Sequence, residues 1–354
     1  MPVNVVELEI TSKCNAACPQ CIRNFYGGPK WPTVPLVSLK LDFLKDKLSE
    51  LLADTNILHL CGTYGDPCVH NQFIEIIRWA KSFKNLELRI NTNGGMNKSY
   101  WAELASLLSE NDRVIFGIDG LKDTNHLYRK NVDWEILMRN AKQFIDAGGK
   151  AVWQYIVFEH NQHQVEEANK IANDMGFVDF YIKKTIRFLD KRHKMVEQTP
   201  VLDKNKIYFI KPPTNTRYLN EGYASMRDID FMKEKIQCMA KIYNNIYIGS
   251  DGYVFPCAWV HDRLYGYEPE SAIDITRIKT LFDMAGGREK ANIYHTPIKD
   301  IIYGKWFETM ENSWVNEHRL ERCAIQCGKT ATLRTDVYER LFFPKTIEQN
   351  EKTS

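Results

Sequence analysis

Three cysteines lie close together near the N-terminus, and their spacing constrains the chain more than any other feature. Cys14, Cys18 and Cys21 follow the pattern C-x3-C-x2-C. Thiols this close in sequence share one site, and thiolates select zinc, copper(I) or iron–sulfur clusters. A loop this short can hold three irons of a cubane cluster and leave the fourth iron open to a small chelating molecule. The alternative is a three-thiol zinc site completed by a histidine, although paired C-x2-C motifs are the usual zinc signature.

The composition indicates a globular protein with a near-neutral surface. The chain has 354 residues, of which 44% are hydrophobic, and this is ample for a large core. Its 47 basic and 45 acidic residues give a formal net charge of +2, so no broad field attracts nucleic acid or an anionic membrane. We therefore expect a small-molecule or peptide substrate, and neither a nucleic-acid nor a membrane partner.

The N-terminal segment lacks the features of a secretory signal, because Glu7 and Glu9 interrupt its apolar run. No stretch of the sequence is long enough to span a bilayer, and we predict a cytoplasmic location. The nine cysteines would be kept reduced there, so clustered cysteines indicate metal binding rather than disulfides. Cys61 and Cys68 belong to no cluster and are predicted to be packed thiols.

Strands alternate with helices over the first 182 residues. The predicted strands cover about residues 3–11, 57–61, 86–91, 113–118, 150–158 and 178–182, and the predicted helices about 39–52, 71–83, 99–109, 134–147 and 162–175. This alternation indicates βα units and a parallel sheet. An open (β/α)6 barrel and a doubly wound sheet share this local pattern.

Active-site groups of parallel α/β folds lie at the carboxyl ends of the strands, so the residues at these positions are candidates for a site. They are Gly65, Asp66 and Pro67 after the second strand, Asn93 after the third, Arg129 after the fourth and Gln154 within the fifth. Each also has an ordinary interpretation. The glycine-containing segments can be turns, Arg129 and Lys130 a solvated pair, and Gln154 a satisfied core amide.

A second cysteine group follows a stretch without clear periodicity. Residues 183–236 contain a charged run at 190–194 and a Pro-Pro step, and they are predicted to be a domain junction. Beyond them, two alternating β runs flank a Ser-Asp-Gly turn and predict a hairpin that returns Cys257 to the vicinity of Cys238. Cys323 and Cys327 follow. Four thiolates could also hold a structural zinc.

The cysteine triplet after a short strand, together with the six βα units, strongly resembles the radical S-adenosylmethionine (SAM) enzymes. The resemblance implies an α/β fold with a partial (β/α)6 TIM-like barrel over residues 1–182. It also implies a [4Fe-4S] cluster on Cys14, Cys18 and Cys21, with SAM bound at the open iron. The implied reaction is reductive cleavage of SAM to a 5′-deoxyadenosyl radical, which abstracts hydrogen from a substrate.

The same resemblance assigns roles to the residues at the strand ends. Gly65, Asp66 and Pro67 resemble a Gly-Gly-Glu-Pro motif whose backbone meets the SAM amino group, and Asn93 lies in a Thr-Asn-Gly segment beside the cofactor. Arg129 lies where relatives pair an arginine with the SAM carboxylate, and Gln154 would face the nucleoside. Three positions depart from the family pattern: Asp66 replaces the glutamate of the motif, Gln20 a common aromatic residue and Gly117 a common serine.

The second cysteine group resembles the auxiliary cluster domains called SPASM and twitch. The resemblance implies a small hairpin-containing domain over residues 237–330, with one auxiliary [4Fe-4S] cluster on Cys238, Cys257, Cys323 and Cys327. Residues 331–354 form a C-terminal tail, of which 344–354 are predicted to be disordered.

A fully ligated auxiliary cluster suits an electron acceptor, so we expect a radical SAM oxidoreductase of the dehydrogenase type. A reductant such as flavodoxin or ferredoxin would supply the first electron. A peptide-modifying maturase and a non-catalytic zinc- or cluster-binding protein are the alternatives. Because the chain starts directly at the first strand, the sequence favours a small substrate.

Overall fold

The computed structural model describes residues 2–185, 187–188, 196–204, 206–220, 230–265 and 271–328. The predicted C-terminal tail at 331–354 and the charged run at 190–194 lie outside these residues.

One large sheet organises the structure. It contains eight strands in the order β10-β9-β1-β2-β3-β4-β5-β6, and all neighbours are parallel except β9 and β10. The strands are β1 (Val5–Leu8), β2 (Ile57–Leu60), β3 (Glu87–Thr92), β4 (Arg113–Gly117), β5 (Ala151–Tyr155), β6 (Asp179–Ile182), β9 (Asn245–Ile248) and β10 (Val254–Phe255). The six predicted N-terminal strands are confirmed, five of them with shorter bounds and β3 shifted by one residue, and the sheet is that of a partial barrel.

Helices cover one face of this sheet. They are α1 (Leu41–Leu52), α2 (Phe73–Ala80), α3 (Trp101–Leu107), α4 (Asn125–Tyr128), α5 (Trp134–Asp146) and α6 (Val165–Met175). In α1, buried leucines recur every three or four residues, which places them on one side of the helix. Asp133 caps the N-terminus of α5, because its carboxylate accepts a hydrogen bond from the Ile136 amide at 2.9 Å. The five predicted helices are confirmed, and α4 was not predicted.

The two faces of the sheet differ in chemistry because side chains alternate along each strand. Leu8, Leu60, Ile90, Phe116 and Trp153 point towards the helices and belong to the main hydrophobic core. The opposite, inner face carries a separate small cluster of Ile115, Val152 and Tyr181. It also carries charged groups: Glu7, Glu9 and His59 lie on the inner face and are buried or nearly so.

The predicted hairpin around the Ser-Asp-Gly turn is confirmed, and it joins the main sheet. Strands β9 and β10 pair antiparallel, with Phe255 opposite Tyr247. Gly252 has a φ of +84° at the turn, a conformation that favours glycine. Strand β9 also pairs in parallel with β1, and this pairing places Tyr247 opposite Glu7. Strands from both sides of the predicted domain boundary at residue 236 therefore belong to one continuous sheet.

The predicted junction contains a second, two-stranded sheet that the sequence did not indicate. It consists of β7 (Thr199–Asp203) and β8 (Lys206–Ile210), paired antiparallel. This sheet packs on the Gly/Pro-rich loop that follows the cysteine triplet. The Leu202 amide donates to Tyr26 O at 2.8 Å, and Lys130 Nζ donates to Gly27 O at 3.0 Å. The junction thus covers the cysteine loop.

The C-terminal part is helical and packs against the β9–β10 hairpin. Its helices are Met239–Ile242, Ala258–His261, Ser271–Met284, Ile298–Ile302, Lys305–Ser313 and Glu321–Cys327. Buried Trp306 stacks on Phe282 and donates from its indole nitrogen to Val254 O at 2.7 Å. Within the described segments, no helix combines the length and the apolar character needed to cross a membrane.

Candidate functional site

The cysteine triplet forms a compact loop directly after β1. The Cys21 amide donates to Cys18 O at 3.1 Å and closes a turn between the second and third cysteines. The Arg23 guanidinium donates to Ala16 O and, at 3.4 Å, to Cys14 O. Hydrogen bonds within the loop backbone and from the buried Arg23 side chain therefore stabilise the conformation of the cysteine loop.

Hydrogen-bond donors point at two of the three sulfur atoms. The Ala16 amide lies 3.3 Å from Cys14 Sγ, and Asn93 Nδ2 lies 3.5 Å from the same atom. Arg129 Nη1 lies 4.0 Å from Cys18 Sγ. Burial raises the pKa of the Cys14 and Cys18 thiols, whereas the Arg129 charge favours the Cys18 thiolate. Donors around sulfur are the surroundings that cluster-ligating thiolates require.

The Asp66 carboxylate ties the turn after β2 to the segment after β3. It accepts hydrogen bonds from the Cys68 amide at 3.0 Å, the Thr92 hydroxyl at 3.1 Å and the Asn93 amide at 2.7 Å. Burial raises the pKa of Asp66, and these donors oppose the shift. Pro67 begins a short 3-10 helix, Pro67–Val69, that Asp66 caps. Asp66 therefore fixes the shape of the site.

Gly65 lies against the backbone that leads into the cysteine loop. A Cβ atom at this position would lie 1.9 Å from Thr11 O and 2.8 Å from Lys13 O. The Gly65 amide donates to Glu9 Oε1 at 2.8 Å, and the Tyr64 amide binds the same oxygen. Only glycine allows this approach, so the turn and the cysteine loop are positioned together.

Arg129 is not part of a solvated pair, because its Nε donates to buried Asp119 Oδ2 at 2.6 Å. Burial raises the pKa of Asp119 and the Arg129 charge opposes this, whereas the carboxylate keeps the pKa of Arg129 above its ordinary value. A Cβ atom at Gly117 would lie 2.3 Å from Arg129 Nη2. The absence of a side chain at 117 therefore makes room for the guanidinium.

Two glutamines have partners of their own. Gln154 is buried and donates to the Tyr181 hydroxyl on the neighbouring strand, as a satisfied core amide does. Gln20 Nε2 donates to Arg187 O at 3.2 Å and to Thr199 Oγ1 at 3.1 Å. The residue that replaces the family's aromatic side chain thus anchors the segment that covers the cysteine loop.

The four cysteines of the second group come together although they are far apart in sequence. They line one small pocket, together with apolar side chains that include Pro256, Val260 and Met310. Its thiols are those of Cys238, Cys257, Cys323 and Cys327. Among the described residues, no group of three His, Cys, Asp or Glu side chains is arranged to hold a single metal ion.

Comparison with known proteins agrees with the geometry of the first site. Residues 8–172 match a family model described as the radical SAM superfamily. These residues form a radical SAM domain. The radical SAM family implies SAM and a [4Fe-4S] cluster, and the domain contains the cysteine triplet, the Asp66 turn and Arg129. The second cysteine group lies beyond the matched residues. A search of curated proteins found no match.

Solved structures share the fold of the chain. SuiB from Streptococcus suis, bound to S-adenosylmethionine, is 16% identical over 73% of this chain and 61% of that chain, with a TM-score of 0.51. Native anSMEcpe with bound AdoMet and Cp18Cys peptide is 14% identical over 100% of both chains, with a TM-score of 0.53. The chain thus spans 61% of the length of SuiB. At these identities the likeness shows the fold alone.

Several residues of the radical SAM domain and its surroundings escaped the sequence analysis. Glu9 accepts hydrogen bonds from the turn after β2 and, at 2.8 Å, from the Tyr247 hydroxyl. Asp119 holds Arg129, and Lys183 extends β6 on the inner face. The sequence did contain a signal for the inner-face residues of β1, because Glu7 and Glu9 occupy alternate positions of an otherwise apolar strand.

Proposed function

We propose that the protein is a radical SAM enzyme that oxidises its substrate and transfers an electron to an auxiliary iron–sulfur cluster. Bound together, the first cluster and SAM supply a 5′-deoxyadenosyl radical that abstracts hydrogen from a carbon centre. The observation that carries the proposal is the convergence of Cys14, Cys18 and Cys21 with the Gly65 turn and Arg129 inside a radical SAM domain.

The residues of the first site have separate roles in this proposal. The three thiolates hold the cluster, and Asn93 donates a hydrogen bond to the Cys14 sulfur. Asp119 uses the Arg129 Nε, so the two Nη groups of the fork remain for the SAM carboxylate. In the described part of the chain, neither Nη group has a protein oxygen partner. Gly65, Asp66 and Pro67 present backbone groups to the SAM amino end.

The second cysteine group supports the oxidative part of the proposal. Four thiols around one small pocket match the full ligand set of one cubane cluster. A cluster held by all four of these thiols would have no iron free for a substrate, which favours electron acceptance over substrate binding. After loss of the hydrogen atom, the substrate would give up one electron to the group held by these four cysteines and one proton to solvent. Flavodoxin or ferredoxin would supply the electron that the first cluster needs.

A peptide is the second candidate substrate. The fold of anSMEcpe, which was crystallised with a Cp18Cys peptide, extends over the whole chain. Hydrogen transfer separates the two candidates, since deuterium from the true substrate appears in 5′-deoxyadenosine. A peptide library and a set of small alcohols and amines, each deuterated at carbon, provide the two arms of that experiment.

Anaerobic reconstitution with iron and sulfide tests the function itself. Two cubanes predict about eight irons per chain, and reduction in the presence of SAM should release 5′-deoxyadenosine. Cys61→Ala is a matched control, because this buried thiol lies outside both cysteine groups and its variant should retain both properties. Protein that stays colourless, binds two zinc ions and leaves SAM intact would establish the non-catalytic alternative.

A further inference from the structure

Lys183 extends β6 on the inner face of the sheet. Its amide donates to Tyr155 O at 2.8 Å, so the backbone continues the pairing of the strand. Tyr181, two residues earlier, packs with Ile115 and Val152 on the inner face. Side chains two residues apart share a face, and the Lys183 ammonium therefore points into the partial barrel, at the end where the other site residues lie.

Charged groups from several strands face this ammonium. Glu7 on β1 and Asp119 after β4 attract it, and Arg129 and Arg187 repel it. His59 on β2 is also within its electrostatic range. Burial lowers the pKa of Lys183 to about 8, with contributions from the two arginines. The ammonium thus lies among side chains from opposite walls of the barrel.

The nearby carboxylates are already committed to other partners. Asp119 binds Arg129 Nε at 2.6 Å and the Ile156 amide at 2.6 Å. Glu7 accepts a hydrogen bond from Asn245 Nδ2 at 2.6 Å. Across the described ranges, the Lys183 ammonium makes neither a hydrogen bond nor an ion pair. A half-buried cation whose neighbouring carboxylates are bonded to other groups lacks a direct partner, which is unfavourable, and an anion at this point would relieve the cost.

We propose that Lys183 binds an anionic group of the substrate, a carboxylate or a phosphate, inside the barrel. The inference rests on the proposed function and names the substrate class: a molecule that carries an anion near the carbon to be oxidised. In the proposed function, Arg129 binds both Asp119 and the SAM carboxylate. An anionic group of the substrate therefore needs another cation, and Lys183 provides it. Arg187, whose Nη1 donates to Gln20 O at 3.0 Å, adds positive potential near Lys183.

The test is a calorimetric titration of reconstituted protein with acetate and, separately, with inorganic phosphate. Saturating SAM is present, so that its carboxylate site is filled. The parent protein should bind one of the two anions, which distinguishes the carboxylate from the phosphate. Lys183→Met should weaken that binding by at least about tenfold, whereas Lys183→Arg should retain it. Lys184→Met is the matched control, one residue along and on the other face, and should bind like the parent.

Three results would overturn the inference. They are a parent that binds neither anion, a Lys183→Met variant with parental anion affinity, and a variant that loses SAM affinity by the same factor, which would assign the lysine to SAM. The melting temperature of each variant controls for folding. A parent that cleaves SAM but binds no anion refutes this inference alone, and Lys183-dependent anion binding without SAM cleavage refutes the proposed function instead.

Discussion

The side chain of Arg129 occupies the space that any side chain at Gly117 would need. A Cβ atom at position 117 would lie 2.3 Å from Arg129 Nη2 and 2.9 Å from Arg129 Cζ. The guanidinium cannot retreat freely, because its Nε is held by buried Asp119 at 2.6 Å. Glycine at 117 and arginine at 129 therefore form one structural unit, and substitution of either should affect SAM binding.

Gly117→Ala should weaken SAM binding because the new methyl group displaces the Nη end of Arg129. We expect a loss of about tenfold in SAM affinity, measured by equilibrium binding to reconstituted protein. Gly148→Ala is a control for backbone strain: nothing lies within 4 Å of its added Cβ atom, but its φ of +91° disfavours alanine, so it should lower stability and leave the SAM affinity of the folded protein at the parental value. SAM affinity that stays at the parental value in Gly117→Ala would show that the guanidinium does not bind the cofactor from this position.

Arg129→Ala should weaken both SAM binding and folding. Loss of a charge-assisted hydrogen bond costs roughly 1.5–3 kcal/mol of binding free energy. The variant also leaves the Asp119 carboxylate buried without its partner, which costs about 3–5 kcal/mol of unfolding free energy. The double variant Arg129→Ala/Asp119→Asn should recover most of the stability but none of the SAM affinity. Recovery of both would mean that Arg129 acts on the fold alone.

The buried pair of His261 and Asp251 should make stability depend on pH. His261 Nε2 lies 3.0 Å from Asp251 Oδ2. Burial opposes protonation of His261, but the Asp251 charge raises its pKa above the ordinary 6.5. The contribution of the pair is therefore fully present below pH 6.5 and is lost as the pH rises through the folded-state pKa. Burial acts to raise the pKa of Asp251, but the His261 charge brings this pKa below the ordinary 3.8. In acid, the contribution of the pair is therefore lost as the pH falls through the lowered pKa of Asp251.

His261→Asn should consequently lower the melting temperature more at pH 6 than at pH 9. The measurement is thermal unfolding of parent and variant at both pH values. His163→Asn, a change in a short surface helical turn, should show no such difference. An equal loss at the two pH values would indicate that the histidine contributes packing and a neutral hydrogen bond only.

Local sequence patterns predicted the radical SAM domain well, and long-range contacts account for what they missed. The six strands, the five helices and the β9–β10 hairpin follow from periodicity and turn residues, which act over short distances. The parallel pairing of β9 with β1 joins residues about 240 positions apart, and no local pattern encodes it. The β7–β8 sheet was missed for a related reason, because its exposed Ile207 and Phe209 break the expected alternation.

In the candidate site, too, local sequence predicted some features and long-range contacts determined the others. The cysteine spacing alone indicated the first metal site. The ion pair of Arg129 with Asp119 and the hydrogen bonds of Glu9 with the Gly65 turn depend on how strand ends meet in space. Gln154 was expected to face the nucleoside, and its hydrogen bond with Tyr181 arises from the pairing of β5 with β6.

Cys257→Ala should remove the auxiliary cluster and leave the first site intact. Iron content should fall by about half if one of two cubanes is lost, and substrate oxidation should fail for lack of an electron acceptor. Cys61→Ala, which removes a buried thiol outside the cavity, serves as the control. A folded Cys257→Ala protein that oxidises its substrate at the parental rate would leave the auxiliary site a structural role only.

The release of 5′-deoxyadenosine from SAM by the reconstituted and reduced protein tests the central claim most directly. The parent and the Cys61→Ala control should both form it, because Cys61 is a buried thiol outside both cysteine groups. Cys14→Ala, Cys18→Ala and Cys21→Ala should each form none, since two thiolates do not hold the cluster in place. Product formation at the parental rate by any of these three variants would contradict the assignment of the triplet as the site of radical generation.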